Sequence, residues 1–344
     1  MPSLSRRMIT GFLVALLFAS AVLATDVTKG PSKRCREVIV RKEWLVPSKL
    51  AQNKARYIGA VKCLQALPAQ TSFTGVRTRF DDFQALHVSL MPEIHLVGQF
   101  LPWHRRMLQV YEKALREECG YTGAQPYWDW TRDVDGASIV AASPVFDPVF
   151  GFGGNGIDIP GYAGQFGNMS DIPGWTGGGC ITDGPFASYN LSIGPGTLVT
   201  NHCLTRSFNT FAVAFIRSSQ VANTTKQPNF ERFRIELEGT PVTPTLKVHD
   251  AGHLSVGGEM NDRWSSPGDP VFYLHHSNLD RIWWEWQSMD LKRRLTDISG
   301  RTSIDPPVVN VTLDFKLKMG ILADLITIRD VMDVRASPMC YIYA

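Results

Sequence analysis

The placement of the histidines restricts the fold of this chain. Six of the eight histidines fall into two groups of three along the sequence. The motif HDAGH puts two of them one helical turn apart on one face, a common way for a helix to offer two imidazoles to one metal ion. The alternative is that each histidine is satisfied separately inside the core. We favour metal binding for two groups: His87, His95 and His104, and His249, His253 and His276.

Two segments with helical periodicity carry histidines of these groups. The first starts at Pro102, stops at Gly120 and has His104 on its apolar face. The second starts with Asp269 as the N-cap, has proline at its first helical position and carries His276 on its apolar face. His276 belongs to an adjacent histidine pair, and neighbours on a helix point about 100° apart. The other member of the pair is therefore predicted to point sideways.

Two further segments are predicted to complete the helical core. Ser48 is expected to cap a helix without histidines, which we interpret as scaffold. An aspartate at position 81 or 82 is expected to cap a short helix that carries His87. Pro92 is expected to break that helix, so that His95 reaches the site from a loop.

A stretch rich in glycine and proline, residues 133–228, separates the two groups. We expect it to be too irregular for an array of strands or helices and to pack over the core. It contains GFGGNG, residues 151–156, which matches the GxGxxG pattern of dinucleotide-binding loops. That pattern needs a strand before it and a helix after it, and here Pro148 precedes it and IDIPG follows. We therefore interpret it as a loop.

The residue types missing near the histidines limit the choice of metal. No histidine has a glutamate three residues before it, which argues against a carboxylate-bridged di-iron site. No cysteine lies near either group, so thiolate ligation is disfavoured, whereas imidazoles suit copper or zinc. If each set of three neutral imidazoles bound one metal ion, both ions would keep free coordination positions. A diatomic molecule could then bridge the two ions. This favours a dicopper site, and a zinc-dependent hydrolase is the alternative.

Four motifs give the chain a family resemblance: FLPWHR (residues 100–105), CGYTGAQPYWDW (residues 119–130), DPVFYLHHSNLDRIWWEWQ (residues 269–287) and CYIY (residues 340–343). They resemble the type 3 copper proteins, and among these the short secreted fungal tyrosinase-like polyphenol oxidases. The resemblance implies a mainly α fold, in which a four-helix bundle holds two copper ions. The rest of this fold would consist of long irregular loops that are rich in glycine and proline, and disulfide bonds would fasten it. It also implies oxidation of phenolic substrates by O2 to o-quinones, and an oxygen carrier with the same site is an alternative.

The resemblance also implies roles for individual residues. The six grouped histidines would be the copper ligands, with His275 behind them. Phe272 matches the aromatic residue that hangs over one copper ion in the family, and Asp280 is a candidate support for an imidazole or a partner for the neighbours of Arg281. Glu93 stands where many fungal relatives have a cysteine that forms a thioether, so that crosslink is excluded.

Two acidic residues bear on the choice between monophenols and o-diphenols. Asp250 follows the first histidine of the second group, where enzymes that accept monophenols often have asparagine. An acid there could act as a base or disturb the arrangement, so hydroxylation is left open. Glu238 is the candidate for the glutamate that positions a water molecule in the family, and Glu236 competes with it.

The N-terminal residues 1–24 have the pattern of a secretory signal peptide, with an uncleaved membrane anchor as the alternative. We predict a secreted, extracellular copper domain over residues 25–344, without the C-terminal lid domain of longer relatives. Six cysteines predict three disulfides of undetermined pairing, and four sequons predict glycosylation: Asn168, Asn190, Asn223 and Asn310. The 35 basic and 32 acidic residues nearly balance, which predicts no nucleic-acid partner and no membrane partner after cleavage.

Overall fold

The computed structural model describes residues 35–44, 51–136, 139–164 and 172–344. The predicted signal peptide, the predicted cap Ser48 and the sequon Asn168 lie outside these residues. The α-helices within them are α1 (Ala51–Ala66), α2 (Arg79–Ile94), α3 (Phe100–Glu118), α4 (Thr131–Val134), α5 (Ser218–Thr225), α6 (Phe230–Glu238), α7 (Val248–Val256), α8 (Val271–Ser288), α9 (Leu291–Arg294) and α10 (Ile328–Val331). None of these helices is long and apolar enough to cross a bilayer.

The strands of the described residues form four two-stranded ribbons. One ribbon is parallel and joins the two ends of the described chain, and the other three are antiparallel. In order of pairing, the strands are β1 (Ile39–Arg41) with β8 (Tyr341–Tyr343), β2 (Gly156–Asp158) with β3 (Gly178–Ile181), β4 (Asn190–Ile193) with β5 (Val199–Cys203), and β6 (Lys316–Leu317) with β7 (Ile326–Thr327).

Five of the six grouped histidines lie on four helices that pack on one another, and His95 follows the end of α2. Helix α2 packs on α3, α3 on α8 and α8 on α7. The predicted apolar faces are confirmed, since Leu108, Tyr111 and Leu115 of α3 are buried, as are Leu279 and Trp283 of α8. The fold is mainly helical, as predicted, with the buried aromatic core around these helices.

The ends of the helices differ in detail from the prediction. Helix α2 starts after Thr78, whose hydroxyl accepts from the Asp81 N–H while the Asp81 carboxylate accepts from the Thr78 N–H. Pro92 does not break this helix, which continues to Ile94. His95 follows its last residue as the C-cap, with extended backbone, so it reaches the site from outside the helix, as predicted.

Helices α3 and α8 start close to the predicted positions. Helix α3 begins at Phe100, two residues before Pro102, because that proline is tolerated in a first turn where the backbone N–H groups have no helical acceptor. Helix α8 begins at Val271, and the Asp269 carboxylate accepts from the Val271 N–H at 3.0 Å. The N-cap position is Pro270, one residue later than predicted, and the Asp269 carboxylate still accepts from the first helical N–H.

The stretch at residues 133–228 is more regular than predicted. It contains two antiparallel ribbons, β2–β3 and β4–β5, as well as α5. The expectation that it packs over the core is confirmed, since Phe146, Phe186 and Phe208 are buried. The register in both ribbons is interrupted, which leaves little periodicity in the sequence to read.

The GFGGNG motif is a loop up to Asn155, as predicted, and Gly156 is the first residue of β2. The Arg206 guanidinium donates to the carbonyls of Phe152, Gly153 and Gly154, and the Gly154 N–H donates to the Asp183 carboxylate. Arg206 also forms a buried ion pair with Asp269. The loop therefore contacts side chains of the protein itself, whereas a phosphate-binding loop presents free N–H groups to its ligand.

Three disulfides join the six cysteines, as predicted: Cys35–Cys340, Cys63–Cys119 and Cys180–Cys203. The first connects the regions before β1 and β8, and the second connects α1 to the end of α3. The third crosses from β3 to β5. The disulfides therefore fasten the helical core at its ends and hold the long covering stretch together.

Candidate metal centre

Two triads of histidine side chains lie inside the helical core. The first is formed by His87, His95 and His104, and the second by His249, His253 and His276. Within each triad, one ring nitrogen per residue lies within 4.8 Å of the others. These are the two groups that the sequence predicted.

The triads face each other. The rings of His104 and His276, one from each triad, stack with centroids 4.5 Å apart and an interplanar angle of 14°. The rings of His95 and His249 are 6.1 Å apart. The six imidazoles therefore enclose one common space rather than two separate sites.

The backbone orients five of the six rings. In each of them Nδ1 lies 2.7–3.2 Å from a main-chain carbonyl oxygen, which can only accept, so Nδ1 donates its proton. Nε2 then carries the lone pair and is available as a ligand. The rings are those of His87, His95, His104, His249 and His253, and their acceptors in the same order are Trp264, Met91, Phe100, Glu238 and Met260.

The Nε2 atoms show that the site suits a metal. Those of His87, His104 and His249 are buried without a hydrogen-bond partner in the described structure. A buried polar atom without a partner costs about 1–3 kcal/mol, and a metal ion would remove that cost at all three atoms. The Nε2 atoms of His253 and His276 lie 3.0 Å apart. Three imidazole donors per metal and no thiolate fit copper.

Burial keeps these imidazoles neutral. It lowers the pKa of His87 to about 3 and that of His253 to about 4, in both cases because the charged form is removed from water. The pKa values of the other triad histidines lie well below the ordinary value, through burial and then through neighbouring histidines. Neutral imidazole is the form that binds a metal ion.

The adjacent histidine, His275, points away from the triads. Its Nδ1 accepts from the Trp130 indole N–H at 3.1 Å, and its Nε2 lies 3.1 Å from the His249 carbonyl oxygen, to which it donates. Both nitrogens are thus occupied by protein groups. A Cβ atom at Gly252 would lie 2.1 Å from the His275 ring, so only glycine leaves room for it. The His275 side chain therefore packs between α8 and α7, and its hydrogen bond fixes the position of the His249 backbone.

Phe272 contacts both triads. Its ring centroid lies 4.1 Å from that of His276 and 5.4 Å from that of His87. The side chain is buried and lies outside the lining of the cavity described below. The structure therefore places the predicted aromatic residue between the triads.

A cavity of about 90 Å³ opens beside the triads. Histidines from both triads line it: His95, His249 and His253. Larger cavities of about 320 and 500 Å³ lie elsewhere, and neither is lined by a described histidine. The site is therefore identified by its imidazole nitrogen atoms and not by the volume of its cavity.

Glu238 lies at this cavity, and Glu236 does not. The Glu238 carboxylate accepts from the Leu96 N–H and the Arg234 guanidinium, and its backbone oxygen accepts from His249. Burial raises the pKa of Glu238 to about 7, an effect that Arg234 opposes. Glu236 instead pairs with Lys247.

Asp250 also lines the cavity, but its carboxylate is bound to the neighbouring loop. The oxygens accept from the N–H and hydroxyl of Thr240 and from the N–H of Lys247. Burial raises the pKa of Asp250 to about 6. Because the bond to Lys247 satisfies a free donor at the start of α7, Asp250 caps that helix.

Asp280 contacts no triad histidine among the described residues. Its carboxylate forms ion pairs with Arg41 and Arg105 and accepts from the hydroxyls of Tyr341 and Tyr343. The proposed support of an imidazole is therefore wrong, and so is the alternative pairing near Arg281. Asp280 fastens α8 to α3 and to both strands of the β1–β8 ribbon.

Sequence reasoning missed several groups that hold the site. The carbonyls of Trp264 and Met260 are backbone atoms of a segment with no histidine, and no side-chain pattern points to them. Gly252 could have been noticed, since a glycine inside a helix is costly and usually marks a close contact. His202 belongs to neither triad, and it contacts Thr200 and Glu259.

The helical core and the two facing triads define a binuclear copper protein of type 3. Residues 77–289 match the common central domain of tyrosinase. The chain belongs to the tyrosinase family, and its two triads are the binuclear copper site of that family.

Fungal relatives cover most of the chain. The tyrosinase-like protein phomQ1 of Diaporthe leptostromiformis is 37% identical over 92% of this chain and 80% of its own length. Tyrosinase P of Aspergillus terreus is 33% identical over 97% and 99%. N-acetyl-6-hydroxytryptophan oxidase ivoB of Emericella nidulans is 33% identical over 96% and 98%.

Among solved structures, a polyphenol oxidase from Thermothelomyces thermophila is similar in fold and sequence. It matches with a TM-score of 0.83 and 33% identity over 91% of each chain. A tyrosinase from Burkholderia thailandensis, 14% identical, matches with a TM-score of 0.54 and shares the fold.

Proposed function

We propose that this chain oxidises o-diphenols to o-quinones with O2, and that it does so outside the cell after removal of residues 1–24. The observation that supports this most strongly is the pair of facing imidazole triads beside a cavity, with three buried Nε2 atoms that lack partners in the described structure. The disulfides and the N-terminal pattern support secretion, since disulfides persist in oxidising compartments.

The chain would contribute geometry and exclusion of water to this reaction. The carbonyl partners of the imidazoles fix their orientation before any metal binds, which lowers the cost of assembling the site. Bound copper would supply the electron transfer between the diphenol and O2. Phe272 keeps water away from the space between the triads, because its ring packs against His87 and His276.

We limit the proposal to o-diphenols. Deprotonation of a monophenol would need a base with a free oxygen at the cavity, and the oxygens of Asp250 already accept from Thr240 and Lys247. Both oxygens of Glu238 have donors as well, the N–H of Leu96 and the guanidinium of Arg234.

The test is oxygen uptake and quinone absorbance by the copper-loaded protein with a matched pair, 4-methylphenol and 4-methylcatechol. We expect turnover of the catechol alone. Turnover of both would contradict the limit to o-diphenols and would assign a base at the cavity. Reversible O2 binding without turnover of either would replace the proposal by an oxygen carrier.

A further inference from the structure

The lining of the cavity beside the triads includes one positively charged side chain that forms no ion pair with another described residue. Among its described lining residues, Arg263 is the only lysine or arginine. The Arg263 side chain is exposed and has no salt bridge or hydrogen bond to another described residue.

The acidic residues of the same lining are bound elsewhere. Glu238 and Asp250 accept from the donors given above. The Asp262 carboxylate accepts from the N–H groups of Gly196, Trp264 and Ser265. Arg263 is therefore not the partner of an internal carboxylate, and its guanidinium is left for an anion that enters from outside.

A second donor lies two residues from Arg263. The side-chain Nδ2 of Asn261 lines the same cavity and is buried without a hydrogen-bond partner. A buried N–H group of this kind costs about 1–3 kcal/mol unless a ligand accepts from it. Two donors without acceptors thus lie at one side of the cavity.

The backbone that carries these donors is held firmly. Met260 and Trp264, on either side, accept from His253 and His87 through their carbonyls. The Asp262 carboxylate, between the two donors, binds the N–H groups of its own loop. Donors on a backbone fixed in this way lose little entropy when a ligand binds.

We propose that Arg263 and Asn261 bind a carboxylate on the substrate, so that the preferred substrates are o-diphenols with an acidic side chain. The proposal rests on the proposed function. The planar guanidinium matches a carboxylate, and the amide N–H supplies a further hydrogen bond. Leu96, Leu246 and Leu254 line the same cavity and provide apolar surface for the ring.

The first experiment compares kcat/KM for three catechols that differ in charge: 3-(3,4-dihydroxyphenyl)propionate, 4-methylcatechol and dopamine. In Arg263→Gln we expect kcat/KM for the acid to fall about 10-fold, mainly through KM, because a charged hydrogen bond is lost. The value for 4-methylcatechol should change less than about twofold. Arg263→Glu should reverse the preference between acid and amine, and Arg293→Gln, at a distant exposed site, should change none of the three.

The second experiment measures binding without turnover. Metal-free protein is titrated with 3-phenylpropionate and with 3-phenylpropanol, which has no charge. We expect the acid to bind about 10-fold more tightly, and Arg263→Gln and Asn261→Ala each to reduce that difference.

The two proposals fail in different ways. Equal kcat/KM for all three catechols in wild-type protein and Arg263→Gln, or equal binding of the acid and the alcohol, would overturn the role of Arg263. Absence of turnover with every catechol, together with selective binding of the acid, would overturn the proposed function and leave the anion site in place.

Discussion

The two triads are similar in donor atoms and differ in what holds them. In the first triad, His95 and His104 donate to carbonyls four residues earlier in their own helices. In the second, His249 and His253 donate to carbonyls from other segments, those of Glu238 and Met260. The first triad is therefore held mainly by its own helices, with His87 held by Trp264, and the second by the end of α6 and the segment after α7.

The same contrast appears at the cavity. The first triad contributes only His95 to the lining, whereas the second contributes both His249 and His253. His253 is also partly exposed, while all three histidines of the first triad are buried. The second triad thus faces the side from which a substrate enters, and its loops are where substrate selection can vary.

The largest expected effect tests whether both triads are needed. His104→Ala and His276→Ala each remove one ligand from one triad, so each should reduce bound copper from about two to about one ion per chain and abolish catechol oxidation. His202→Ala is the control, because His202 lies outside both triads and should keep nearly full activity. Metal analysis and oxygen uptake provide the readouts. An equal loss in His202→Ala would sink the ligand assignment.

A smaller effect tests the ion pair that connects α8, which carries a histidine of the second triad, to α3, which carries a histidine of the first. Asp280→Asn removes the carboxylate partner of the buried Arg105 guanidinium, while Arg41 keeps its ion pair with Glu112, and it should lower the free energy of unfolding by about 3–5 kcal/mol. Asp314→Asn is the matched control, since its ion pair with Arg329 is exposed and should contribute less than about 1 kcal/mol. Denaturant unfolding measures both. Similar values for the two variants would show that Asp280 does not join α3 to α8.

The smallest effect concerns the second triad alone. In Gly252→Ala the added Cβ atom would press on His275, so we expect a loss of about 1–3 kcal/mol in the free energy of unfolding. Gly59→Ala is the control, because nothing lies within 4 Å of a Cβ atom there and alanine favours a helix by about 1 kcal/mol. If thermal unfolding shows Gly252→Ala to be as stable as Gly59→Ala, the contact between α7 and α8 is looser than described.

The sequence predicted the two triads because helical spacing controls which side chains share a face. It also predicted the buried faces of α3 and α8, which depend on local periodicity. The prediction that Pro92 ends its helix was wrong. Proline usually breaks a helix, but here the packing of α2 on its neighbours outweighs that local preference.

Contacts between distant segments could not be predicted. Asp280 finds its partners on β1, α3 and β8, and no local pattern relates these positions. The carbonyls of Trp264 and Met260 are equally hidden, because every residue has a carbonyl and only the folded chain shows which one meets a histidine. The ribbons at residues 133–228 were missed because their strands are short and their register is interrupted.

The most direct test of the central claim is a copper titration of the metal-free protein, with catechol oxidation followed at each step. The two facing triads predict that about two ions bind per chain and that oxidation appears only as the second site fills. Saturation at a single ion, or full oxidation once one ion is bound, would contradict a binuclear centre.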